Sequence, residues 1–219
     1  MLANFKFIST VGKALFPSLL WNFNTDEKVI YLTFDDGPIP DITPKILAIL
    51  KEFKARATFF CIGENIERNP EIFKLLQAGG HSIGNHTFNH LNGWKTSQYN
   101  YINNALQAEY AIAPFQSNND LPKGRLGGKL FRPPYGKITP AQIKALEKLD
   151  YKIVMWDVIS GDYDQTTDSR SCYLEVINNA REGSIIVFHD SLKAYGNLEK
   201  ILPGILKYYS EKGFEFRAL

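Results

Sequence analysis

From residue 28 onward, short apolar runs alternate with stretches whose apolar positions recur at helical spacing. Residues 29–34 form a continuous apolar stretch closed by a turn, the pattern of a buried strand. Ile42, Ile46, Leu47, Ile49, Leu50 and Phe53 then mark one helix face, with Pro44 accommodated in its first turn. Residues 57–61 read as a second strand. Asn69-Pro70 starts a helix that Gly79-Gly80 stops, and 81–85 is a weaker strand. Further on, 96–110 reads as a helix, 114–128 as a polar, Gly-rich loop and 130–131 as a short strand. Thr139-Pro140 caps a helix that runs to 149. The remainder reads as a strand over 151–158, a helix over 168–181, a strand over 184–188, a helix over 198–212 despite Pro203, and a strand over 214–217. About seven βα alternations without a compositional break argue for parallel strands wrapped by helices, as a barrel or an open doubly wound sheet. Residues 28–219 read as one domain, with 1–27 as an N-terminal segment packed on it or preceding it.

In both arrangements function collects at the C-terminal ends of the strands. Those ends carry Asp35-Asp36, then His86 and His90, Arg132, Asp157 and Asp162, and finally His189-Asp190. Each has an ordinary explanation. Asp-Gly and Gly-Pro are turn dipeptides, and Asp162 can cap the turn after Gly161. Arg132, taken alone before Pro133-Pro134, reads as a surface residue, and Tyr135 and Trp156 as packing aromatics. The histidines are harder to dismiss, because three of the four in the chain fall within 81–90. His86 and His90 are spaced so that one helical turn would put both rings on one face. Two neutral imidazoles and one carboxylate suit a divalent metal and leave a coordination position open. Either Asp35 or Asp36 can supply that carboxylate, and the other then stands where a general base is needed. A cation also relieves the repulsion of the adjacent pair. His189, with an intrinsic pKa near ~6.5, suits proton donation to a leaving group. The set describes metal-assisted hydrolysis of an acyl group. His81 lies outside the spacing and reads as structural.

Composition narrows the picture further. Across 219 residues, 25 basic and 23 acidic side chains give a net charge of +2, so no global field favours nucleic acid or membrane. Two cysteines form no disulfide framework and no CxxC pair, and Cys61 closes a strand as a small buried residue. The apolar N-terminus is interrupted by Lys6, Lys13 and Pro17. It lacks the apolar core of ~7–15 residues of a secretory signal and the ~18 residues of a membrane span. The expectation is a cytoplasmic protein.

The segments TFDDG (33–37), HTFNH (86–90), RPPYG (132–136), SGDY (160–163) and VFH (187–189) resemble the five ordered motifs of NodB-type polysaccharide deacetylases, carbohydrate esterase family 4. The resemblance implies a distorted (β/α)7 barrel that removes acetyl groups from N-acetylated sugars of a poly- or oligosaccharide. It also implies a divalent metal, commonly zinc, with cobalt, nickel or manganese as alternatives. Carried onto this chain, Asp36, His86 and His90 would bind metal, Asp35 would be the base and Arg132 its anchor. His189 would be the acid, tuned by Asp162, and the Tyr135 N–H would bind the oxyanion. Tyr135, Trp156 and Tyr163 would contact substrate. The fourth motif departs from the family pattern, which begins with Asp and ends in Asp-Trp, where this chain has Ile159 and Asp162-Tyr163. The alternatives are an O-acetyl esterase on acetylated polysaccharide and a non-catalytic carbohydrate-binding barrel. A binder has no need of Asp35 and His189 together.

Overall fold

The computed structural model describes residues 11–115 and 128–219. Its eight strands are β1 (Val29–Asp35), β2 (Ala57–Cys61), β3 (Ser82–Asn85), β4 (Lys129–Phe131), β5 (Tyr151–Ile153), β6 (Val158–Ile159), β7 (Ile185–His189) and β8 (Glu215–Phe216). The sheet runs β5-β4-β3-β2-β1-β7-β6, with β8 added to β1, and its strand pairs are parallel. Helices at Thr43–Glu52, Pro70–Ala78, Gln98–Ile112, Pro140–Glu147, Ser169–Asn179 and Leu192–Glu211 lie between or after the strands. This is the distorted (β/α)7 barrel, a curled parallel sheet wrapped by helices. The short helix Gly63–Arg68 is not foreshadowed by the apolar pattern, and the last helix begins earlier than expected, with Pro203 inside it.

Strand β1 shows why the run reads as uniformly apolar. Ile30, Leu32 and Phe34 pack with Ile46, Leu50, Leu202 and Ile205 under the helices. Val29 and Tyr31 point the other way, toward Phe60, Leu130, Val154 and Leu219 in the barrel interior. The same alternation turns Thr33 and Asp35 inward, so the interior becomes polar toward the C-terminal end of the strand.

The strand expected over 151–158 is two strands in the structure. β5 pairs with β4 and stops at Ile153, and β6 pairs with β7 on the far side of the sheet's opening. One continuous strand cannot serve both neighbours. The N-terminal segment fills the seam between them. Leu20 donates its N–H to the Ile153 carbonyl at 3.0 Å and accepts from the Met155 N–H at 2.7 Å, and Phe23 N–H donates to the Gly183 carbonyl at 2.9 Å. Among the described residues, no helix is long and apolar enough to cross a membrane. Most of the loop expected over 114–128 lies outside the described residues.

Candidate active site

The first metal-ligand candidate sits on a strained corner. After β1 the backbone turns at Asp36, whose φ is +87, and the Asn65 side chain fixes the turn by donating to the Asp36 carbonyl at 2.7 Å. Gly37 follows because nothing larger fits: a Cβ there would lie 1.9 Å from the Asp190 carboxylate. That carboxylate accepts from Gly37 N–H at 2.9 Å and from the Thr43 hydroxyl at 2.7 Å. Among the described residues it has no cationic partner, and burial pushes its pKa up to about 8. Asp190, read from sequence only as the residue after His189, is therefore a clamp on the Asp35-Asp36 turn.

His86 and His90 do meet, but not on a helix. Residues 86–91 form an irregular turn in which Thr87 and His90 have φ values of +64 and +56. The turn competes successfully with a helix because side chains take its amides. Asn85 Oδ1 accepts from Thr87 N–H at 2.8 Å, and Asn104 Oδ1 accepts from Phe88 and Asn89 N–H at 2.9 and 3.1 Å. Sequence reasoning missed both asparagines, since neither carries a chemistry of its own. The ring centroids of His86 and His90 are 5.0 Å apart.

Their Nε2 atoms stand 3.8 and 3.4 Å from Asp36 Oδ1. His86 Nδ1 must donate to the Arg132 carbonyl, 2.8 Å away, which leaves a lone pair on Nε2. Burial lowers the His86 pKa to about 4 and also lowers that of His90, so neither ring is an imidazolium at neutral pH. Among the described residues, buried Asp36 Oδ1 has no hydrogen-bond partner. Lone pairs of Asp36 Oδ1 and His86 Nε2 thus converge with His90 Nε2 beside them, and the three ligand atoms lie within 4.8 Å of one another. A cation makes that arrangement favourable, and the donor set, two nitrogens and one oxygen, fits a zinc-like ion.

Asp35 is held apart from this cluster. It is buried, and although burial favours its neutral form, the Arg132 guanidinium and the nearby histidines hold its carboxyl below the usual range. Arg132 is fully buried, not the surface residue its local sequence suggests. One of its nitrogens donates to Asp35 Oδ1 at 2.8 Å and to Thr33 Oγ1 at 2.6 Å. Nε donates to the Val154 carbonyl at 3.3 Å and the other terminal nitrogen to that of Met155 at 2.9 Å, the backbone freed where β5 breaks from β6.

His189 ends β7 beside Asp35, its register partner. Asp162 accepts from both the Nδ1 and the backbone N–H of His189, each at 2.8 Å. Burial opposes charge on the ring, but the Asp162 carboxylate, with Asp36 and Asp35 behind it, lifts the His189 pKa to about 9. A raised folded pKa means that charged His189 stabilises the fold fully below ~6.5 and that this share is lost as pH rises through about 9. In protein stripped of metal, an NMR titration should place His189 near 9, and Asp162→Asn should lower the midpoint by about 1–3 pH units. An unshifted midpoint would show that Asp162 does not tune this ring.

The aromatic candidates occupy different positions. Tyr163 stacks edge-on to His189 at 4.9 Å, and Tyr135, 60% exposed, meets His90 at 4.5 Å. Trp156 is half-buried, 5.8 Å from the Arg132 guanidinium. Asp157 is not at this end: it accepts from the Ser184 hydroxyl and Ile185 N–H, at the opposite end of β7. The break after β5 redirects it. His81 is structural, accepting from Ala57 N–H at 3.2 Å, and Cys61 and Cys172 are buried free thiols.

The sequence profile described as polysaccharide deacetylase matches residues 22–154. The chain is 34% identical over 197 residues to a peptidoglycan-N-acetylglucosamine deacetylase of Bacillus cereus, covering 90% of this chain and 88% of that protein. It is 36% identical over 165 residues to a chitooligosaccharide deacetylase of Azorhizobium caulinodans, covering 75% of each. The crystal structure of the Bc1960 peptidoglycan N-acetylglucosamine deacetylase superposes with a TM-score of 0.85 at 30% identity, covering 95% of this chain and 94% of that one.

Proposed function

Because this chain belongs to the polysaccharide deacetylase family, carbohydrate esterase family 4, we propose that it hydrolyses N-acetyl groups from N-acetylglucosamine-containing poly- or oligosaccharides. Asp36, His86 and His90 would hold a divalent cation, zinc before cobalt, nickel or manganese. When bound, that cation supplies electrophilic polarisation of the acetyl carbonyl and acidifies water toward a pKa of ~7.

The observation that carries the reading is the division of charge beside the Asp36, His86 and His90 cluster. Asp35 is kept ionised by Arg132, so it takes the proton of the attacking water. His189 is kept protonated by Asp162, so it delivers a proton to the departing amine. A placed acid or base of this kind contributes ~10²–10⁴ in rate. The Tyr135 backbone, at φ +60, offers its N–H to the developing oxyanion. Tyr163, beside the acid, and Tyr135, beside His90, give the groove aromatic walls for a sugar ring, with Trp156 behind them.

The test is acetate release from N-acetylglucosamine oligomers and peptidoglycan fragments by zinc- or cobalt-loaded protein, with Asp35→Asn as the control. Release by wild type and loss in the variant is the expected result. No release from any of these substrates overturns the reading.

A further inference from the structure

The two histidines that face Asp36 are anchored on their outer nitrogens in different ways. His86 is buried, and its Nδ1 donates to a main-chain carbonyl, that of Arg132. No side-chain substitution removes that acceptor. His90 has a looser seat: its φ is +56, its side chain is 27% exposed, and its Nδ1 lies 3.1 Å from the Tyr135 hydroxyl. A ring that directs an Nε2 lone pair at a cation must carry its proton on Nδ1, and that proton needs an acceptor. The phenolic oxygen is an acceptor at the right place. The rings also meet face to flank, with centroids 4.5 Å apart at 58°.

Tyr135 is itself set by the backbone. It sits at φ +60 inside the turn Pro134–Gly136, and Gly136 follows at φ +65. A Cβ on Gly136 would lie 2.7 Å from the Trp156 ring, so the turn is packed on one side while the tyrosine ring stands out on the other.

We propose that Tyr135 is a positioning residue of the metal centre: its hydroxyl accepts the Nδ1–H of His90 and fixes the tautomer and rotation that aim Nε2 at Asp36. The proposal rests on Asp36, His86 and His90 being the ligand set. Removing such an outer partner typically costs about 10–100-fold in metal affinity. Tyr135→Phe deletes one exposed oxygen and keeps the ring contact, so the fold should survive.

Zinc and cobalt(II) affinities are measured by chelator competition for wild type, Tyr135→Phe, Asp36→Asn and Tyr110→Phe, the last a control on an exposed tyrosine of the Gln98–Ile112 helix. Imidazole nitrogen shifts of His90 in metal-free protein are recorded alongside. Tyr135→Phe should bind about 10–100-fold more weakly and show a mixed His90 tautomer, with Tyr110→Phe unchanged. Wild-type affinity in Tyr135→Phe, alongside binding lost in Asp36→Asn, overturns this inference alone. Absence of binding by wild type overturns the ligand set and the inference with it.

Discussion

Asp36→Asn is expected to abolish stoichiometric metal binding, whereas Asp35→Asn should retain the metal and lose about 10²–10⁴ in kcat. Adjacent in sequence, the two carboxylates are separated by the strand's end. Asp35 still obeys the alternation of β1 and faces inward, where Arg132 holds it at 2.8 Å. Asp36 lies past the turn at φ +87, with Oδ1 buried and turned toward both imidazoles. An amide at position 36 replaces one oxygen by an N–H donor and removes the negative charge that offsets a cation's. An amide at position 35 can still accept from Arg132 through its oxygen, so geometry persists while basicity vanishes. Metal content after gel filtration and turnover on one acetylated substrate separate the two outcomes. Matching losses of metal in the two variants would disprove the division of labour.

The strand-end logic that singles out these residues reached further than the secondary structure it was built on. β1, β2 and β7 read correctly because both faces are buried, so their apolar runs need no knowledge of neighbours. The 151–158 run misled for the same reason: Tyr151 and Ile153 are buried on β5 and Val158 on β6, two strands either side of a seam. Sequence periodicity registers burial and not which strand is adjacent, and Asp157 was misplaced with it. The histidine pair was found by spacing that suits a helix, yet the irregular turn at 86–91 brings the rings together through Asn85 and Asn104. Thr33, Thr43 and Asp190 went unassigned because their roles are contacts across sequence separations of 99 and 147 residues. No local pattern marks such a residue.

Arg132→Met should destabilise the protein by about 3–5 kcal/mol, the cost of leaving a buried charge without its partner. Met roughly preserves the apolar volume, so packing loss does not dominate. Four hydrogen bonds break, to Thr33 and Asp35 on one side and to two carbonyls on the other. Asp35 loses its counter-charge in a site that is almost wholly buried, and the carbonyls of Val154 and Met155 lose the guanidinium that caps them at the seam. Arg132→Lys keeps the charge but cannot fan out to Asp35, Thr33 and both carbonyls at once, because an ammonium lacks the planar fork. A double-mutant cycle with Asp35→Asn divides the total. The pairing energy appears as coupling, because the neutral amide no longer needs a cation. What remains in the double variant is the seam, about 1–3 kcal/mol for each unsatisfied carbonyl. Denaturant unfolding of the four proteins reads all of these quantities. A double variant as stable as Asp35→Asn would show that the arginine serves Asp35 alone. A large residual loss would show that one side chain, fully buried at the end of β4, both closes the barrel and keeps Asp35 ionised.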